Sequence, residues 1–524
     1  MVFLRVQPRY IRFQLKYICM KKIVFALLIG VTFSAQAQKN VLLDQSFWQG
    51  KPDVSQVKAE VEKGSSPSQL NPMSFDPVVM AINAQAPTET ITYLLAQPGN
   101  DVNKVTHDSR TYLHWAANRG NVEIMEALIA KGAKATVEDS HGMTPLNFAA
   151  AGGQSNTKVY DLCLANGANL KKDLNHDGAN ALLVAVANDK DLKLTDYFVS
   201  KGLELKSTDA AGNNAFSYAA RSGNIDVLKA LQQRGVSVNA NALIMASQGG
   251  RRGPASIEVF QYLESLGIKP TVTNKAGENV LHALVRRPKQ NEIIQHFLDK
   301  GVDVNQADEE GNTVFMNAAA ANRDVAVLDM LMPKVKNINQ PNQKGATALA
   351  MAIRGNSPEV VSYLLTKGAD VTVTDKNGDN LAVYLVLANN APSGPRPEGG
   401  QRPEGGLRTD DFTAKLTLLQ GKGLDVRAPQ KNGNTLYHLA VAKNDLALVK
   451  RLEPLQIDVN ARNKEGITAL HKAAMVSKDD EMLKYLLSIG AKKDIPTSFK
   501  ETAFDLASEN ESLSKSNISV NFLK

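Results

Sequence analysis

The 524-residue chain is 43% hydrophobic, 22% charged and 6% aromatic, a balance that excludes a disordered or fibrous polymer and fits several compact domains or one long repeat array. Its formal charge of +7 would suit nucleic acid, but six of the 60 basic residues (Arg5, Arg9, Arg12, Lys16, Lys21 and Lys22) lie in residues 1–37, which hold no acid. The remainder is close to neutral against 53 acidic residues, so the electrostatic case for binding DNA, RNA or an anionic membrane surface lapses.

The segment from Met20 reads as a secretory signal peptide: Lys21-Lys22, the apolar run Ile23 to Phe33, then Ser34-Ala35-Gln36-Ala37. That run is shorter than the ~20 residues that span a bilayer, so cleavage is expected after Ala37 with no membrane span left. Gln38 at the new end excludes lipid attachment through a terminal cysteine. Residues 1–19 read as a mis-assigned upstream extension, residues 20–37 as the signal, and the periplasm is favoured over the exterior of the cell. Cys19 falls in the removed part and leaves Cys163 alone, which rules out an intrachain disulfide; Cys163 stands where other copies of the repeat below carry Leu or Phe, a buried hydrophobe.

Residues 38–107 read as degenerate copies forming a cap, with Val57, Val61 and Gly64 in the pattern of a second helix. From residue 108 an internal period dominates. A glycine two positions before Thr or Asn recurs at Gly142, Gly178, Gly212, Gly277, Gly311, Gly345, Gly378, Gly433 and Gly466, mostly 33 to 36 residues apart. The long gap after Gly212 holds a copy without the glycine, Asn241 to Ala246. Each glycine precedes a short helix such as Thr144-Pro145-Leu146-Asn147-Phe148-Ala149-Ala150, where Thr caps the amino end, Pro is tolerated in the first turn and the alanines admit a close neighbour. A second helix follows, as in Val122 to Ile129 or Pro358 to Leu365, with one apolar stripe. It stops at a Lys-Gly pair such as Lys131-Gly132, because glycine accepts the left-handed conformation and lysine suits the negative end of the helix dipole. An extended stretch like Val302-Asp303-Val304-Asn305 then leads to the next turn.

The unit of glycine, threonine, a hydrophobic pair, histidine in some copies, paired alanines and a glycine-terminated helix resembles the ankyrin repeat. The resemblance implies an all-α solenoid of about fourteen helix-turn-helix units with hairpin-like loops, repeats over 108–388 and 412–496, and a capping repeat with a polar tail at 497–524. Two helices this short cannot bury enough apolar surface alone, so each unit must lend its face to the next. The full Thr-Pro-Leu-His form is absent: His114, His282, His438 and His471 hold the histidine position, while other copies have Asn147, Leu183, Ser217, Met316 or Ala350.

Between residues 389 and 411 the register is broken by Ala391-Pro392-Ser393-Gly394-Pro395 and two copies of Arg-Pro-Glu-Gly-Gly, a composition that cannot form a core; a disordered surface loop between the two helices of one repeat is expected. No Lys-Ser or Lys-Thr helix start follows it, so nucleotide binding is not expected.

No catalytic constellation emerges. The eight histidines (His107, His114, His141, His176, His282, His296, His438 and His471) form no His-Glu-x-x-His, no Cys-x-x-Cys or Gly-x-Ser-x-Gly occurs, and neither metal nor cofactor is expected. Trp48 and Trp115 would suit a sugar, but Trp115 occupies a position filled elsewhere by Phe148, Tyr218, Met245 or Leu439, which is packing. The resemblance implies a non-enzymatic scaffold or adaptor, monomeric, that binds a protein partner on the concave face and hairpin tips. The candidate partner-binding residues are the varied tip residues Ser140, His141, His176, Asp177, Lys275, Glu309, Glu310, Gln343, Lys344, Lys376, Asn377, Lys431, Asn432, Lys464 and Glu465. The alternatives are an enzyme or enzyme regulator acting on a cell-envelope glycan or peptide, and a secreted effector.

Overall fold

A computed structural model describes residues 40–250, 253–388 and 409–524. The signal-peptide reading of 20–37, the upstream extension and all but the last three residues of the 389–411 insertion lie outside the described residues. Within them every regular element is a helix, and the only β pairing is two isolated bridges, Gly250 with Gly253 and Ala307 with Thr313. The α-helices fall into fourteen consecutive pairs, the number the period predicts. Among the described residues no helix is long and apolar enough to cross a membrane.

The chain divides into two compact units, the first ending at Ala210 and the second running from Ala211 to Lys524. In the first unit, helices such as Pro77–Ala84, Tyr112–Arg119 and Pro145–Ala151 begin each pair. Asp76 and Thr144 cap two of them with side-chain oxygens, and Pro77 and Pro145 stand in the first turn, where no amide partner is lost. The first and second helices of a repeat pack together, and first helices pack on first helices of the next repeat, as Tyr112–Arg119 does on Pro145–Ala151. Fully buried Leu113, Ala116, Ala117, Leu146, Ala149 and Ala150 fill that seam. Cys163 is buried in the second helix Thr157–Ala165, and its thiol is pushed up to about 12, first by burial and then by Asp173, so it is a core side chain and not a nucleophile. The degenerate first copy holds two short helices, Gln45–Gln49 and Val54–Glu62; Trp48 is buried and gives its Nε1–H to Leu42 O at 2.9 Å.

In the second unit Asn322 and Asn356 tie the turn between the two helices of their repeats to the repeat before. Asn322 Nδ2 donates to Val285 O (2.8 Å) and Asn356 Nδ2 to Ala319 O (2.9 Å) and Asn322 O (2.7 Å), satisfying carbonyls left open at the ends of first helices. Each of these donors lies 37 residues after its helix-end acceptor. Counted from Ile353 the same separation arrives at Asn390, outside the described residues, yet Ile353 O is satisfied: Lys415 Nζ donates to it at 2.9 Å. Lys415 belongs to the long helix Thr409–Gly421 and stands eight residues before its terminating glycine, where Ile124 and Val360 fill the core of other repeats. It is 0% exposed, and burial lowers its pKa to about 8 against the pull of Asp411. Leu381–Ala388 and Thr409–Gly421 pack together, and Lys415 of the longer helix is a donor to Ile353 O.

On second helices a tyrosine reaches back to a carboxylate of the preceding repeat, with a lysine over its ring. Tyr363 OH donates to Asp329 (2.9 Å) under Lys367, and Tyr197 OH to Asp161 (2.8 Å) under Lys201. Near the carboxyl end Asn510 caps a short helix, Glu511–Lys515, and its Nδ2 donates to Ala474 O and Ser477 O at 2.9 Å.

Candidate protein-binding surface

Most hairpin tips are four-residue turns in which an Asx or Gln carbonyl begins the bend and glycine ends it. At Gly345 φ is +85°, and a Cβ there would lie 2.6 Å from Lys376 N and 2.9 Å from Asp375 Cα, so glycine serves both the left-handed backbone and the close approach of the next tip. The approach is a backbone ladder. Ser140 N donates to Asp108 O (2.9 Å), His176 N to His141 O (3.0 Å) and Ala210 N to Asp177 O (2.9 Å) in the first unit. In the second, Glu309 N reaches Ala276 O (2.7 Å), Gln343 N reaches Glu310 O (2.9 Å), Lys376 N reaches Lys344 O (3.0 Å), Lys464 N reaches Asn432 O (3.0 Å) and Ser498 N reaches Glu465 O (3.3 Å).

The ladder uses backbone groups of the tips and leaves most of the tip side-chain surface exposed, although Gln343 Nε2 also donates to Glu309 O (2.7 Å). All fifteen candidate residues are exposed. Ser140, His141, His176 and Asp177 form one row, and Glu309, Glu310, Gln343, Lys344, Lys376 and Asn377 another, with Lys275 next to the Ala276 carbonyl that starts it. Lys464 and Glu465 follow Asn432 and its neighbour Lys431. Lys344 Nζ lies 4.0 Å from Glu310, a surface pair that contributes little.

Three tips escape the glycine pattern. Ser74, Ser109 and Lys500 take the glycine place with φ of 60°, 60° and 67°, which adds tips around Met73, Asp108 and Phe499. Met73 and Phe499 are strongly exposed, and His107 N donates to Ser74 O (2.9 Å) in the same ladder. The signal for these tips was the cap residue that follows, Asp76, Thr111 or Thr502, rather than the glycine before it.

Beside the tips of the first unit the first helices present aromatic rings. Trp115 meets Phe75 at 5.6 Å and Phe148 at 5.5 Å, both edge to face, and Phe75 stacks on His107 at 4.6 Å. Arg110 lies 4.1 Å from the Phe148 ring centre and is tied by Asp139 and Asp108, each at 2.9 Å. Trp115 is 7% exposed with its Nε1–H on Thr106 Oγ1 (2.9 Å), which agrees with a packing role.

The repeat histidines are structural. Thr111 N–H donates to His114 Nδ1 (3.1 Å), which fixes the proton on Nε2, and Nε2 then donates to Met143 O of the next tip (3.0 Å). His438 does the same with Thr435 N (3.1 Å) and Ile467 O (2.9 Å), while His282 and His471 accept from Asn279 N and Thr468 N at 3.0 Å. Burial lowers all four pKa values, that of His114 to about 4. Asn147 fills the same position and joins repeats through Nδ2 to Asp173 O (2.8 Å).

A stack of helix pairs whose polar side chains either tie repeats together or lie exposed at ordered tips is a helical repeat protein of the kind that recognises other proteins by surface contact. The comparison with known families agrees: the family described as ankyrin repeats in three copies matches residues 78–172, 155–242, 281–375 and 410–514. The chain belongs to the ankyrin-repeat family. It is similar over 133 residues, at 28% identity, to the mouse RelA-associated inhibitor, covering 25% of this chain and 16% of that protein. It is 44% identical over 55 residues to dog Inversin, covering 10% and 5% of the two chains. Phosphocholine transferase AnkX of Legionella pneumophila is 26% identical over 125 residues, 24% of this chain and 11% of that protein. In each case the chain spans less than a fifth of the relative's length.

Proposed function

We propose that this protein is a non-enzymatic scaffold or adaptor, exported through its leader to the periplasm of a bacterium, and that it binds a protein partner on the concave face and the tip row. The observation that carries the reading is the division of labour at the tips: a backbone ladder holds position while the exposed side chains vary from repeat to repeat. A rigid frame that displays different chemistry at regular intervals presents a preorganised contact surface, which lowers the entropic cost of binding a folded or extended partner. Family membership supports protein interaction as the activity. The four repeat histidines and Cys163 are occupied in capping and packing.

The test is crosslinking in intact cells, affinity capture of the mature chain from the periplasmic fraction, and mass spectrometry of the crosslinked peptides. Crosslinks should map to tip residues, and Glu309→Lys/Glu310→Lys or His141→Glu/His176→Glu should abolish capture of the same partner while leaving the melting temperature within about 2 °C. Crosslinks confined to second helices, or turnover of purified peptidoglycan by the pure protein, would defeat the proposal.

A further inference from the structure

The turns between the helices of each repeat form a second row, on the side of the first helices away from the tips, and in the second unit this row is rich in arginine. Arg221 and Arg287 converge on one helix end: Arg221 Nε donates to Gly249 O (3.4 Å) and Arg287 Nη2 to Gln248 O (2.8 Å), consecutive carbonyls at the carboxyl end of Ala242–Gln248. The asparagine ties continue the row. Asn322 donates to Val285 O and Arg287 O, and Asn356 donates to Asn322 O, so the turns bearing Arg286 and Arg287, then Arg323, then Arg354 lie side by side. Arg286, Arg323 and Arg354 are exposed, and among the described residues none of the three is paired with a carboxylate. The nearby acids Glu292, Asp324 and Glu359 open second helices, where the positive end of the helix dipole holds them.

The surface next to the arginines is not uniformly charged. Arg286 Nη2 donates to Asn317 Oδ1 (2.8 Å), and Asn317 keeps its Nδ2 without a partner beneath the guanidinium. In the following two repeats Met351 and Tyr384 are half-buried at the matching position of the first helix, four residues after the cap, and Leu387 is 49% exposed one turn on. Cations on one rim with an apolar strip and an amide donor beside them complement a chain that carries carboxylates, apolar side chains and backbone carbonyls together. A sulfated or nucleic-acid polyanion would use the cations and leave the strip and the amide bare.

We propose that the row Arg286, Arg323 and Arg354, with Asn317, Met351 and Leu387 beside it, docks an extended acidic peptide segment of the partner, one in which carboxylates alternate with apolar residues. The proposal rests on the protein-binding reading above and names the partner chemistry for one face of it. On binding, Arg286 turns from Asn317 to a carboxylate, and the uncovered amide donates to a peptide carbonyl. Three guanidinium groups in a row, none of them held by a carboxylate, give an association rate and affinity that fall with salt.

The probe is a fluorescein-labelled peptide of about 14 residues, roughly 45 Å when extended, with Glu alternating with Leu and Ser, titrated by anisotropy into the full mature chain. Arg286→Glu/Arg323→Glu/Arg354→Glu should weaken binding at least about tenfold and flatten its salt dependence, with a smaller loss for the three Gln replacements and none for Lys464→Glu. Unchanged affinity in the triple Glu variant, no binding by the wild type at low salt, or equal competition by a heparin oligosaccharide would each overturn it. Capture of the native partner separates the two readings. A partner taken by both wild type and the arginine variant, but lost from the tip variants, sinks this inference alone; capture by neither the wild type nor any variant sinks the scaffold reading.

Discussion

Acid should loosen the repeats that are joined by histidine. His114 is neutral when folded, since Nδ1 accepts the Thr111 amide and Nε2 carries the only ring proton. A second proton on Nδ1 would break the cap, and burial holds the folded pKa to about 4 against a reference value of 6.5. Because the folded pKa is the lower one, the unfolded chain takes up the proton first as pH falls. Stability is therefore full above pH 6.5, declines between 6.5 and 4, and is lost by about 3 kcal/mol at the lower limit, from 1.36 kcal/mol for each of roughly 2.5 pH units. The protein contains its own control, because Asn147 bridges the next repeat from the same position with a group that does not titrate. His114→Asn should lose part of the stability at pH 7 but keep what remains down to pH 4.5. Hydrogen exchange in Tyr112–Arg119 and Pro145–Ala151, followed from pH 7 to 4 in both proteins, reads the difference while the carboxylates titrate alike in each. An identical slope in wild type and variant would refute the assignment of the acid sensitivity to this histidine.

Lys415 sets the opposite window. Its folded pKa near 8 lies below that of an unfolded lysine, so stability should rise by up to about 3 kcal/mol between pH 8 and 10.5. Lys415→Met should abolish that rise in urea titrations, while leaving Ile353 O without its donor and speeding exchange in Ala348–Gly355. Asn356→Ala frees two buried carbonyls and should cost about 2–3 kcal/mol by chemical denaturation. Asn188→Ala, which removes the comparable bond to Ala151 O from an exposed residue of the first unit, should cost under about 1 kcal/mol; equal losses would show that burial of the acceptor does not govern the tie. Tyr363→Phe should lower stability by about 0.5 kcal/mol and by less in high salt, because both Asp329 and Lys367 are well exposed.

The amino-acid sequence by itself determined what rests on contacts within a few residues. Caps at Thr144 and Thr347, helix ends such as Gly132, and the turn glycines reveal themselves locally, because each answers a hydrogen bond or a backbone angle inside its own repeat. Counting them yields about fourteen helix pairs. The serine and lysine tips were hidden because neither residue type announces a left-handed backbone, yet φ is 60° at Ser74 and 67° at Lys500. Only the tertiary structure decided which side chains of one repeat meet those of the next. The row of Arg286, Arg323 and Arg354 has no constant spacing along the chain, because the turns differ in length, yet the asparagine ties bring those turns side by side. Lys415 reads as a solvated lysine until the core of its repeat closes over it and Ile353 O becomes its acceptor. Such pairings depend on how two surfaces settle against each other across some 34 residues, and that packing is a property of the folded stack rather than of any stretch of sequence.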